Sequence, residues 1–150
     1  GIDAFRDHPE LHAFLTWRSE PVTSLIGEIK AAADPATRIV LIDLKDGWLG
    51  GVDLEAVGKL CDGAILCCYD MTPDAVADVI RTGRALLGPE KFLGLGLRVF
   101  YPEVDGPAIL AARTKAAIDA GADGVNFYNY GLIPARRLDW VKDAVAAISR

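Results

Sequence analysis

Four short apolar segments alternate with helix-like segments along this chain, and that alternation is the strongest constraint on its fold. The apolar segments span residues 38–45, 63–69, 92–100 and 124–129. Each is too short for a buried helix and is bounded by Gly, Asp or Pro. Strands that alternate with helices imply parallel strands joined by right-handed crossovers. The pattern therefore predicts an α/β fold built from four βα units.

The helix boundaries support this interpretation. Thr72 followed by Pro73 is typical of an N-cap and a first helical residue, and Gly88 is typical of a helix end. A helical stripe over residues 9–33 precedes the first predicted strand, with no strand ahead of it. We therefore expect that a βα unit has been cut off. The first residue, Gly1, also indicates a fragment.

Two architectures fit four βα units: half of a (β/α)8 (TIM) barrel, or a flavodoxin-like open sheet. Three of the four strands have one apolar face and one face that turns polar toward its C-terminal end. A sheet covered on both sides needs two apolar faces, whereas a barrel has a polar mouth above a packed interior. We expect the half-barrel as one domain over residues 1–150, with Asp43, Arg98 and Asn126 converging on its concave side.

An isolated half-barrel is incomplete. A full barrel needs about 250 residues, and four strands leave two long edges exposed to aggregation. The sequence therefore predicts that this is the C-terminal half of a barrel. Either the N-terminal half is missing, or two copies associate edge to edge as a homo-oligomer.

Composition limits the partners. With 51% apolar and 25% charged residues, the chain suits one soluble globular domain. Its formal charge of −5 and its lack of a basic stripe argue against a nucleic-acid partner. No run of about 18 apolar residues occurs, so no membrane span is expected. The N-terminus has no feature of a secretory signal.

Cysteine and histidine usage argues against disulfides and metals. The three cysteines, Cys61, Cys67 and Cys68, are odd in number and include an adjacent pair. Reduced, buried thiols are expected, which favours a cytoplasmic location. The only histidines lie near the N-terminus and no Cys-x-x-Cys occurs, so no metal site is predicted. With neither a P-loop nor a dinucleotide-binding glycine pattern, no cofactor is predicted.

Polar and aromatic residues follow the predicted strands at their C-terminal ends, where barrel active sites gather. Asp70 and Glu103 are the candidate catalytic carboxylates, chosen by position alone. The candidate substrate-binding residues at these ends are Asp43, Lys45, Trp48, Tyr69, Arg98, Tyr101, Asn126, Tyr128 and Tyr130.

The chemistry of this set leaves alternatives open. Flat rings with a polar edge suit stacking on sugar faces, although tyrosines also cap cores at the water boundary. Arg98 and Lys45 could hold an anionic group, or could form a structural ion-pair network with Asp43. Residues 121–124 form a tight helix-to-strand turn of a kind that also occurs in phosphate- and flavin-binding barrels.

Two segments carry a family resemblance. Residues 14–23, FLTWRSEPVT, resemble the helix after the fourth strand in glycoside-hydrolase-like (β/α)8 barrel proteins, and residues 124–131, GVNFYNYG, resemble the last strand of similar proteins. The resemblance implies a glycosidase-like barrel with a carbohydrate ligand. In such families one catalytic carboxylate ends the fourth strand, which would lie before this chain. The resemblance therefore implies that this chain is inactive on its own.

Two further functions stay open at this stage. One is a non-catalytic module that binds sugar or assembles with itself. The other is a barrel enzyme for a phosphorylated or flavin-type ligand, in keeping with the turn at residues 121–124.

Overall fold

Four parallel strands form one sheet in a computed structural model that describes residues 1–44, 47–100 and 106–149. The sheet order is β1-β2-β3-β4, which follows the chain without the reversal of a flavodoxin-like sheet. The predicted α/β fold of alternating strands and helices is confirmed, as an open sheet consistent with half a barrel. The strands are β1 (Val40–Leu44), β2 (Gly63–Cys67), β3 (Phe92–Arg98) and β4 (Gly124–Tyr128).

In the described part of the chain, six α-helices accompany the sheet, and sequence signals such as an N-cap residue mark where some of them begin. Thr72 Oγ1 accepts a hydrogen bond from the Ala75 backbone N–H at 3.3 Å, as its N-cap position predicts. The expected helical stretch before the first strand is two helices, the second beginning at Ser19. The helices are α1 (Pro9–Trp17), α2 (Ser19–Ala32), α3 (Leu54–Gly58), α4 (Pro73–Leu87), α5 (Pro107–Asp119) and α6 (Leu138–Ala146).

Helices α4, α5 and α6 bury one face of the sheet. Gly83 lets α4 approach β2 closely, because a Cβ there would lie 2.5 Å from Leu66 Cδ1. Each buried leucine contributes about 2 kcal/mol through the hydrophobic effect. The fully buried side chains of this core include Leu93, Leu95 and Leu97 of β3, Val76 and Ile80 of α4, Leu110 of α5 and Ala144 of α6.

The opposite side of the sheet, here called the open face, is much less covered. Ile42 and Leu44 of β1 are 63% and 60% exposed there. Near the N-terminal ends of β3 and β4, the ring of Phe92 covers Gly94 and Gly124. A Cβ at these two glycines would lie 3.1 Å and 3.6 Å from ring carbons. By register, the open face consists of Val40, Ile42, Leu44, Gly63, Ile65, Cys67, Phe92, Gly94, Gly96, Arg98, Gly124, Asn126 and Tyr128.

Two aspartates tie the N-terminal end of the sheet together in the same way. Asp62 Oδ2 accepts hydrogen bonds from the Ile39 backbone N–H at 2.7 Å and from Lys30 Nζ at 2.8 Å. Asp123 Oδ2 accepts from the Leu93 backbone N–H at 2.8 Å and from Arg84 Nη2 at 2.7 Å. Each aspartate precedes the glycine that begins the next strand, so the turn at residues 121–124 has a structural role.

The three cysteines are buried free thiols, as the sequence predicts. The pKa of Cys68 is raised to about 12, chiefly by burial and then by Cys67, against a lowering by the Arg113 charge. Among the described residues, none of the helices has the length and apolar character that crossing a membrane requires.

Candidate functional site

Asp43 does not join the expected convergence on the concave side. Strand register pairs Asp43 with Leu66, and Leu66 with Leu95, so the Asp43 side chain shares the helix-covered face. Arg98 and Asn126 lie on the open face. The expectation that all three meet is therefore wrong. The apolar set of β1 turns toward the open side, and the set that contains Asp43 turns toward the helices.

On the open face, Arg98 is surrounded by aromatic rings. Its Cζ lies 4.3 Å from the ring centroid of Tyr69 and 5.5 Å from that of Phe100. The ring of Tyr128 lies 6.3 Å from both Tyr69 and Phe100, stacked on the first and tilted to the second. We call Tyr69, Arg98, Phe100 and Tyr128 the Arg98 cluster. It is built from the C-terminal ends of β2, β3 and β4.

Strand pairing explains why these side chains meet. Arg98 of β3 is the register partner of Tyr128 of β4, so their side chains leave the same side of the sheet. Phe100 follows Arg98 by two residues and keeps the same orientation. Cation–π attraction of about 0.5–2 kcal/mol then favours the stacking of the guanidinium on Tyr69.

Among the polar groups of the cluster, the phenol of Tyr69 stays protonated at neutral pH. The pKa of Tyr69 is raised to about 12, chiefly by burial and then by a hydrogen bond with Cys67, while the Arg98 charge opposes both. Burial likewise raises the pKa of the Cys67 thiol. At neutral pH the phenol of Tyr69 therefore keeps its proton, and the cluster carries the positive charge of Arg98.

The remaining predicted residues occupy different positions around this end of the sheet. Asn126 is exposed on the open face beside Gly96, one pleat below Tyr128. Tyr130 is 79% exposed in a short 3-10 turn. Asp70 is exposed just after Tyr69 and leads into α4. Three predicted residues lie outside the described ranges: Lys45, Tyr101 and Glu103.

Asp43 and Trp48 instead border a cavity of about 450 Å³ on the helix side of β1 and β2. Burial raises the pKa of Asp43 to about 6, against a smaller lowering by a hydrogen bond from the Leu44 backbone. Gly47 packs so tightly on this carboxyl that a Cβ there would collide with it. The apolar walls of the cavity include Leu54, Leu66, Met71, Val79 and Leu86.

Phe100 is the member of the cluster that the sequence analysis missed as a site residue. The sequence places it in the apolar segment 92–100, on the same alternating face as Arg98, but it was not chosen as a site residue; in the structure it lies beyond the last residue of β3. Its position two residues after Arg98 was the available signal. Aromatic residues that continue a strand's alternation past its end therefore belong in such a search.

The arrangement offers rings, a cation and an amide for binding a ligand. In the described part of the chain, no group of three His, Cys, Asp or Glu side chains is placed to hold a metal ion. A scan of protein-family models found no match to this chain. A search of curated proteins also found no match. The resemblance to glycoside-hydrolase-like barrels therefore stays a prediction from residues 14–23 and 124–131.

Proposed function

We propose that this chain binds a carbohydrate at the Arg98 cluster. The observation that carries the proposal is the stacking of aromatic rings around a single guanidinium at the C-terminal ends of three neighbouring parallel strands. Ligands of parallel α/β folds bind at this end of the sheet.

The chemistry of the cluster matches the two kinds of surface that a sugar ring presents. Its C–H groups form an apolar face that packs on an aromatic ring, and Tyr128 offers such a ring with 43% of its surface exposed. Its hydroxyl groups need directional partners. The guanidinium of Arg98 and the amide of Asn126 both reach the open face and can donate hydrogen bonds to hydroxyl oxygens.

A hydrolytic role rests on two carboxyl groups, which must stand about 5–9.5 Å apart around the bond that is cleaved. Asp70 and Glu103 remain the candidates by sequence position. The Arg98 cluster supports binding, and hydrolysis is the further step that these two acids would have to supply in a complete barrel.

Binding is tested by NMR titration of the ¹⁵N-labelled chain with four soluble probes: cellotetraose, chitotetraose, xylotetraose and tetragalacturonate. We expect saturable shifts of the Asn126 and Tyr128 amides with at least one probe. Tyr128→Ala should weaken that binding about tenfold, because a stacking contact of roughly 1.4 kcal/mol is lost.

Trp17→Ala is the matched control, since Trp17 is an aromatic residue 55% exposed on α1, outside the cluster. It should leave sugar affinity unchanged. Absence of saturable shifts with every probe up to about 10 mM would overturn the proposal. Saturation by inorganic phosphate with no response to any sugar would also overturn it, in favour of a phosphorylated ligand.

A further inference from the structure

We propose that the cavity bordered by Asp43 and Trp48 is a second ligand site, which binds an organic cation made of an ammonium group and an apolar body. We call it the Asp43 cavity. It lies on the helix side of β1 and β2, whereas the Arg98 cluster lies on the open face. The inference goes beyond the proposed sugar binding and does not depend on it.

The short first crossover leaves room for this cavity. Helix α3, which lies between β1 and β2 in the chain, has five residues, whereas α4 and α5 have 15 and 13. A 3-10 turn over Gly47–Gly50, rather than a long helix, follows β1. The space that remains is about 450 Å³. Sites for small organic molecules have volumes of this size.

Apolar side chains form most of the cavity wall. Leu54 comes from α3, Leu66 from β2, and Met71 from the segment just before α4. Val79 and Leu86 are seven residues apart, so they contribute from the same face of α4. Such a wall favours an apolar ligand body, because it offers few partners to the hydroxyl groups of a sugar.

The charged side chains at the cavity are acidic. Asp43 and Asp78 line it, and no lysine or arginine of the described residues does so. Asp78 is paired with Arg81 on the surface of α4. None of the ion pairs between described residues involves Asp43. The cavity therefore complements a cation and repels an anion.

Trp48 adds a second group that suits an ammonium ion. It lines the same cavity as Asp43, five residues further along the chain. Its ring packs near that of Phe5, with 5.8 Å between the ring centroids. The indole is the aromatic ring that attracts cations most strongly. A carboxylate and an indole at one apolar cavity are thus suited to a positively charged head group.

The unfavourable position of the Asp43 charge also supports a cationic ligand. Asp43 is half-buried, and burial raises its pKa to about 6, so the ionised form is disfavoured in the empty cavity. A bound ammonium group would favour the ionised form and lower this pKa. Carboxyl groups in such unfavourable charge states are typical of functional sites.

The first test is an NMR titration of the ¹⁵N-labelled chain with 2-phenylethylamine at pH 7.5, read at the indole N–H of Trp48. The probes of similar shape are 2-phenylethanol, which is neutral, and 3-phenylpropanoate, which is an anion. We expect saturable shifts with the amine, about tenfold weaker binding of the alcohol, and no binding of the anion. Amine binding no tighter than that of either other probe, or no saturation by the amine up to about 10 mM, overturns the proposal.

Asp43→Asn tests the head-group contact, because it keeps the size of the side chain and removes its charge. The affinity for the amine should fall about tenfold, and the affinity for the alcohol should not change. Asp119→Asn is the matched control, since Asp119 is an exposed carboxylate that pairs with Lys115 on α5. An equal loss in both variants would reflect the net charge of the chain and would overturn the Asp43 contact.

The pH dependence of amine affinity is a second readout that needs no variant. The ionisable groups that line the cavity are Asp43, Asp78, Cys67 and the amino group of Gly1. Burial raises the pKa of Cys67, so this thiol stays neutral. The amine itself stays protonated below about pH 8. Because the pKa of Asp43 is about 6, amine affinity should fall about tenfold from pH 7.5 to pH 5. An affinity that is constant over this range overturns the contact with Asp43.

Discussion

The two ends of the sheet use the same residue types for different purposes. At the N-terminal end, Asp62 and Asp123 each accept a backbone hydrogen bond and a bond from a cationic side chain. At the C-terminal end, Asp43 is half-buried beside a cavity with apolar walls, and Arg98 stacks on aromatic rings. The carboxylates at the N-terminal end accept hydrogen bonds within the fold, and the C-terminal end exposes Asn126, Tyr128 and Tyr130.

The pKa values of the carboxyl groups follow this division. The hydrogen bond from Lys30, then that from the Ile39 backbone, lowers the pKa of Asp62. Burial alone would raise the pKa of Asp123, but hydrogen bonds from the Leu93 backbone and from Arg84 outweigh it and lower the value. Burial raises the pKa of Asp43 to about 6, because it outweighs the lowering by a hydrogen bond from the Leu44 backbone. Hydrogen bonds therefore favour the ionised forms of Asp62 and Asp123, whereas burial disfavours the ionised form of Asp43.

The largest predicted effect is the loss of Arg84 from the N-terminal end. Arg84 donates hydrogen bonds to the carbonyls of Gly88, Lys91 and Gly121 and to the carboxylate of Asp123. Arg84→Met would leave these acceptors without that donor, so we expect the free energy of unfolding to fall by about 2–3 kcal/mol. Urea denaturation of the native chain and of Arg84→Met at pH 7 measures this loss of stability.

Arg81→Met is the matched control on the same helix. Arg81 pairs with Asp78 on the surface, with both side chains well exposed, and such a pair contributes less than about 0.5 kcal/mol. If the two variants lost equal stability, the N-terminal network would have no special role and the contrast between the two ends would fail.

The next effect depends on pH and concerns Asp43. Its pKa is about 6 in the folded chain and near 3.8 when unfolded, so between these values the folded state holds a proton that the unfolded chain releases. The free energy of unfolding should therefore rise as pH falls from above 6 toward 4. Asp43→Asn removes the cost of the buried charge, and we expect it to stabilise the protein by about 1–2 kcal/mol at pH 7.5.

Urea denaturation of both proteins at pH 7.5, 6 and 4 provides the test. The gain from Asp43→Asn should shrink as pH approaches 4, because the carboxyl is then protonated in the folded state and no charge is held in the partly buried site. A gain that is independent of pH would show that Asp43 carries no buried charge.

The fold followed from the sequence because each strand and each crossover has local determinants. The four apolar segments contain the four strands of the sheet. Capping residues such as Thr72 mark the positions at which helices begin in the structure. Which face of β1 turns toward the helices could not be predicted from the sequence. The side chains on both faces of β1 are largely apolar, and Asp43 was taken to mark the concave side. Only pairing with β2 distinguishes them. An edge strand without cover on one face can expose Ile42, against the usual polarity rule.

The site was predicted in part for similar physical reasons. Strand alternation places Arg98, Asn126 and Tyr128 together, because a period of two holds within regular strands. Tyr69 was predicted from its position at the end of the second apolar segment, and Phe100 shares the alternating face of Arg98 but was not chosen as a site residue. Their proximity to Arg98 is a tertiary property, set by how the ends of β2 and β3 align in the sheet.

The smallest expected effect on stability is at the C-terminal end, and it tests whether the Arg98 cluster serves the fold or a ligand. Tyr128 is 43% exposed, and its ring centroid lies 6.3 Å from the ring centroids of Tyr69 and Phe100. Tyr128→Ala should lower the free energy of unfolding by less than about 1 kcal/mol. Urea denaturation measures this, beside the sugar titration of the same variant. A loss above about 2 kcal/mol would make Tyr128 a core residue, and the two ends of the sheet would then both be structural.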